Sequence, residues 1–154
     1  MSIKKINKLF RIVIICIGII SITFLFFVAP LASHSIHLNT HQLIIQIFFW
    51  VSAIPVFGIL FSLWKISTEL KKEHYFSEII QKKLTYITRA GIAECVIYSI
   101  AILFGLFFIK NNPSYFVFTG LFFLIGIIIA IFATLLLHII KHADELKNEH
   151  DLTI

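Results

Sequence analysis

One acidic residue, Glu94, lies inside the apolar stretches of this chain. A carboxylate in hydrocarbon costs a few kcal/mol unless it is paired, hydrated or protonated. Glu94 is therefore the leading candidate for exchange of a proton or cation, or for binding a ligand. Its neighbours give it a direction. Ile80, Leu84, Ile87, Gly91, Glu94 and Tyr98 recur at three- and four-residue steps, which places them on one helical face turned toward a protein interior. Tyr98, one turn further on, is the natural companion of the carboxyl group at this site. The plainer alternative has Glu94 snorkelling toward headgroups past Arg89, or hydrogen-bonded to Tyr98 or to a serine of another helix.

Other residue types invite weaker chemistry. His34, His37 and His41 would align three imidazoles if their segment were helical, and imidazole ligates zinc or copper. No carboxylate or thiol accompanies them, and the nearby Pro30 favours irregular backbone, so the expectation is a solvated loop without metal. His138 and His142, four residues apart, suit an interfacial position. Cys16 and Cys95 lie in apolar runs without the spacing of a zinc site, which predicts neither a disulfide nor a thiol–metal site. The chain has no nucleophile elbow, Gly-rich phosphate loop, HExxH or paired carboxylates, so neither an enzyme with catalytic residues nor a resident cofactor is expected.

The elements that hold these groups follow from composition. The 154 residues are 59% hydrophobic and only 14% charged, with a mean hydropathy of +0.98, far from the soluble average of about 25% charged. Apolar runs at 9–29, 43–64, 90–109 and 115–137 are each long enough to cross about 30 Å of hydrocarbon as helices. Backbone amides in lipid must be satisfied within their own segment, so the fold class is an all-α, integral-membrane four-helix bundle in one domain. A cleaved signal peptide is the alternative for the first run, whose apolar core is longer than such peptides use.

Topology is read from the basic residues. Lys4, Lys5, Lys8 and Arg11, then Lys65, Lys71, Lys72, Lys82, Lys83 and Arg89, then Lys141 and Lys147 fall on one side, and Lys110 alone on the other. The excess marks the cytoplasmic side, with both termini there and the segments 30–42 and 111–114 outside. The net charge of +5 accordingly faces anionic headgroups of the bilayer and not nucleic acid.

Several local features refine this frame. Pro55 predicts a kink in the second helix, its freed carbonyl met by a hydroxyl or a neighbour. In the cytoplasmic loop, Tyr75, Phe76 and Ser77 predict a helix break, Ser77 capping a new helix that runs into the third span. Gly126, Ala130 and Thr134, one helical turn apart, permit close helix approach. They read as an internal seam, although an oligomer contact is equally compatible with them. After the fourth span, Ile139, Ala143 and Leu146 form a narrow apolar stripe on a polar helix that projects into the cytoplasm. The chain finishes in Asp151, Leu152, Thr153 and Ile154, an apolar end with a carboxylate of the kind that protein pockets capture.

Two stretches carry a resemblance: His74-Tyr75-Phe76-Ser77 followed by Leu84, and the ending from Glu145 to Ile154 with its final Asp-Leu-Thr-Ile. Both resemble the bacterial membrane family called domain of unknown function 2975, whose usual glycine ahead of the Phe-Ser element is replaced here by charged and polar residues. The resemblance implies four spans with a cytoplasmic loop between the second and third. Because genes of the family often neighbour those of small helix-turn-helix regulators, it also implies a cytoplasmic DNA-binding partner. Two functions are therefore expected: a non-enzymatic inner-membrane regulator docking such a protein through Tyr75, Phe76, Ser77, Leu146 and 151–154, or alternatively a small transporter, channel subunit or ligand-binding module built on Glu94.

Overall fold

The computed structural model describes residues 3–28, 42–71, 77–109 and 112–152. They form four helices: α1 (Ile3–Thr23), continued by a wider π-helical stretch Phe24–Val28, then α2 (Gln42–Lys71), α3 (Glu78–Phe108) and α4 (Pro113–Leu152). Each carries one of the apolar runs. At 30, 31 and 40 residues, α2 to α4 reach about 45–60 Å, more than hydrocarbon alone requires. The surplus lies at one end, where the lysines are, and which is called here the basic end.

Helix boundaries follow from capping chemistry. Ser77 takes extended backbone angles (φ −64°, ψ 143°) and its hydroxyl accepts the Ile80 amide at 3.4 Å, so α3 starts where the sequence places it. At the opposite end, Asn112 Oδ1 accepts the Tyr115 amide at 3.3 Å and opens α4. Tyr115 then folds back on α3. Its hydroxyl donates to the Ala101 carbonyl at 2.7 Å, and its ring occupies the space that a side chain on Gly105 would fill. Helix α2 continues unbroken through Pro55. The Ser52 hydroxyl, one turn before the proline, meets the Phe49 carbonyl at 3.4 Å and the Tyr98 hydroxyl at 3.0 Å.

Each helix packs on its neighbours in sequence, running up and down in turn. Among the described residues the backbones of α1 and α4 do not approach one another closely. The most extensive contact joins α3 to α4, and two glycines make it possible. A Cβ on Gly91 would stand 3.0 Å from the Ala130 amide nitrogen and 3.1 Å from the Gly126 carbonyl oxygen. The stripe of small residues on α4 thus serves an internal seam, extended by Thr88 and Thr134, whose hydroxyls lie 3.4 Å apart. Toward the basic end, Ile59, Ile66, Ile80, Leu84, Ile87, Ala90 and Ala133 form the main apolar core.

The exterior reverses the soluble pattern. Ile20, Phe27, Ile54, Phe107, Val117 and Phe132 are exposed, whereas Ser52, Ser62, Ser67, Thr119 and Glu94 are buried. Hydroxyls within the helices donate to carbonyls four residues earlier, as at Ser21, Ser99, Thr119 and Thr134, which satisfies them where no water is available.

The seam makes a direct prediction. Gly91→Ala places a methyl group against backbone, which has nowhere to go, and is expected to lower stability by about 1–3 kcal/mol. Gly120→Ala, with nothing within 4 Å of the new atom, is expected to be neutral or slightly stabilising. Thermal unfolding of both variants in detergent distinguishes them, and equal midpoints would show that α3 and α4 are not tightly seated.

Candidate functional site

The inner face of α3 is formed by the residues that the sequence period selects. Ile80, Leu84, Ile87, Gly91, Glu94 and Tyr98 are all buried, together with Ala90, Ala101 and Gly105. Glu94 is 5% exposed, and neither carboxylate oxygen has a hydrogen-bond partner among the described residues. The expected bond to Tyr98 does not form. The Tyr98 hydroxyl lies one helical turn further along and is taken by Ser52 of α2.

Glu94 lines a cavity of about 230 Å³ to which all four helices contribute walls. Its walls include Ile20 and Phe24 from the first helix, Phe49, Ser52 and Val56 from α2, Tyr98 from α3, and Phe122, Gly126 and Ile129 from α4. Four aromatic rings meet there. Phe24 contacts Phe49 and Phe122 edge-on, with centroids 5.8 and 5.4 Å apart, and Tyr98 stacks on Phe122 at 5.3 Å. Room for the glutamate depends on Gly126, since a Cβ at that position would stand 3.2 Å from Glu94 Cβ. The sequence signal for Gly126 was there, in the spacing of small residues, but it speaks of packing and not of a site.

A second polar cluster at the basic end gave no such signal. Arg11 of α1 donates from Nε to Ser67 Oγ at 3.1 Å and from Nη2 to Thr68 Oγ1 at 3.4 Å. Ser67 in turn donates to Asn7 Oδ1, and the guanidinium stands 5.1 Å from the centre of the Trp64 ring. This cluster clamps α1 onto α2. Its members look unremarkable in sequence because their partners are more than fifty residues away.

The expected docking residues fare differently from one another. Ser77 is accounted for as the cap of α3. Gln81 Nε2 donates to Asp144 Oδ2 at 3.3 Å, so the start of α3 lies beside the extension of α4, where Leu146 is exposed. Asp151 and Leu152 belong to the last turn of α4. Tyr75, Phe76, Thr153 and Ile154, like His34, His37 and His41, lie outside the described residues. At the end of the apolar part of α4, His138 is exposed, while His142 Nδ1 stands 3.8 Å from Glu145 Oε2.

Four helices long and apolar enough to cross a membrane, Asn7–Phe27, Leu43–Lys71, Glu78–Phe108 and Pro113–Leu146, with polar groups inside and apolar groups outside, define a multi-span helical membrane protein. The chain belongs to the family described as protein of unknown function (DUF2975), which it matches over residues 28–154. It is similar to the uncharacterized membrane protein YoaS of Bacillus subtilis (strain 168), with 24% identity over 151 residues and 94% of each chain covered. No solved structure matches it.

The two polar clusters differ in what their loss should do. Ser67→Val leaves the Arg11 and Asn7 groups short of a buried partner and is expected to cost about 1–3 kcal/mol, against about 1 kcal/mol for Tyr98→Phe. Thermal unfolding ranks the two. Limited proteolysis should show α1 released first in the Ser67 variant, and an unchanged α1 would argue against the clamp.

Proposed function

We propose that the chain is a non-enzymatic multi-pass protein of the bacterial cytoplasmic membrane that binds a small ligand or cation at Glu94, with both termini in the cytoplasm. One observation carries this reading. The Glu94 carboxylate is buried in a cavity inside the bundle, and no described residue gives it a hydrogen bond. Bare carboxylates are expensive in hydrocarbon, and the two hydroxyls best placed to help are engaged with each other. A partner from outside the described chain is the simplest completion.

The same reading gives the basic end a role. Glu94 and the Ser77 cap belong to one continuous helix, and Gln81 ties its start to the extension of α4. Occupancy at Glu94 would thus be felt where a cytoplasmic helix-turn-helix regulator would dock. Orientation rests on the distribution of Lys and Arg, of which only Lys110 lies at the other end.

Dicyclohexylcarbodiimide, an apolar reagent for carboxyl groups shielded from water, is expected to modify Glu94 in native membranes. Mass spectrometry of the purified chain locates the adduct, Glu94→Gln removes it, and a chain modified only at its other acidic residues would sink the proposal. For orientation, His37→Cys and His150→Cys are introduced separately into a chain carrying Cys16→Ser and Cys95→Ser. An impermeant maleimide is expected to label the first in intact cells and the second only after lysis, and the opposite order would reverse the topology.

A further inference from the structure

The Glu94 cavity does not end at the glutamate. Val56, Ile59 and Ile129 line it and also line a second cavity of about 550 Å³, which runs toward the basic end between α1 and α4. The two spaces are adjacent and share these walls. The walls of the second are apolar throughout, with Phe10 and Ile17 on α1 facing Phe132 and Leu136 on α4. Since the backbones of α1 and α4 do not approach closely among the described residues, this space lies between two helices that do not close on each other. At the far end the gap is narrowed by the contact of Phe24 with Phe122.

The chemistry at the inner end selects for positive charge in two ways. An unpartnered carboxylate attracts a cation, and so does the face of an aromatic ring; Phe24, Phe49, Phe57, Tyr98 and Phe122 border the same space as Glu94. A hard metal ion such as calcium or magnesium is poorly served here. It needs about six or more oxygen ligands, whereas the described side chains lining the cavity offer one carboxylate, a Ser52–Tyr98 hydroxyl pair bonded internally and the Ser21 hydroxyl, which donates to the Ile17 carbonyl. An organic cation makes no such demand. Its charge needs one counter-ion and ring faces, and its body needs the apolar contacts that fill the rest of the passage. The inner space alone is smaller than the roughly 300–1,000 Å³ of a typical drug-sized site, which fits a compact charged group whose apolar body extends into the second cavity.

We infer that Glu94 and the rings of Phe24, Phe49, Tyr98 and Phe122 form a binding site for a lipophilic monovalent organic cation, an ammonium or phosphonium centre on an apolar body, which enters sideways from the bilayer between α1 and α4. This rests on the ligand-binding reading of Glu94 and gives it a chemical class.

The test uses the full chain in lipid nanodiscs, empty nanodiscs as background, and radiolabelled decyltrimethylammonium as the probe. Saturable binding is expected in the wild type, weakened about tenfold or more in Glu94→Gln, which removes the charge at nearly constant shape. Decyldimethylphosphine oxide, an uncharged relative of the probe, is expected not to compete. That arm uses the wild type alone and is independent of how the variant folds. Decyltrimethylammonium should also slow carbodiimide modification of Glu94. Absence of saturable binding, equal binding by the variant, or competition by the phosphine oxide overturns the organic-cation class. If the carbodiimide still marks Glu94 in that event, the Glu94 site stands without this ligand, and if it does not, both fall.

Discussion

Nothing in hydrocarbon pulls two apolar helices together merely because they are apolar, since the lipid tails outside are as good a solvent as the partner. Close backbone packing has to supply the attraction, and in this chain it is concentrated where Gly91 of α3 meets Gly126 and Ala130 of α4. The rest of the site depends on that contact. Glu94 stands one turn beyond Gly91 on the same face, so seating Gly91 against α4 turns the glutamate inward. Gly126 then leaves open the volume that Glu94 Cβ and the cavity behind it use. Depth, direction and free space at the carboxylate are consequences of one seam between two helices.

Polar contacts do the corresponding work between the other helices. Arg11, Asn7 and Ser67 join α1 to α2 at the basic end, Ser52 and Tyr98 join α2 to α3 in the middle, and the Tyr115 hydroxyl on Ala101 closes the α3–α4 turn. Each of these ties a helix to its sequence neighbour. Across the first and last helices the described contact is between rings, Phe24 on Phe122. The bundle is therefore tight along three interfaces and loose along the fourth, and the loose one is where the two cavities lie.

Much of this was legible from residue order alone. The four apolar runs, the Ser77 cap and the inward face carrying Glu94 and Tyr98 are all local periodicities or caps, properties that a few consecutive residues determine. The same holds for the small residues of α4 that face Gly91. What the order of residues did not disclose is pairing between distant segments. A helical period says that Tyr98 faces inward, but not that Ser52 will take its hydroxyl in preference to Glu94. It likewise gives no reason to couple Arg11 to Ser67, or to leave α1 and α4 apart. At Pro55 the helix runs on through the proline, and the nearby Ser52 makes the contact with α3, a pairing that no local rule discloses.

The isolation of Glu94 is best understood by asking what a purely structural residue would do at this position. For packing alone, a leucine or methionine would fill the space without the desolvation that a carboxyl group entails. As a polar link between helices, a glutamate would be expected to take the Tyr98 or Ser52 hydroxyl, both of which border the same cavity. Neither arrangement is present. The two hydroxyls bond to each other, and the carboxylate is left without a hydrogen bond among the described residues. A carboxylate left without an internal partner among the described residues, in a cavity lined by all four helices, is the feature of this bundle that packing alone does not require.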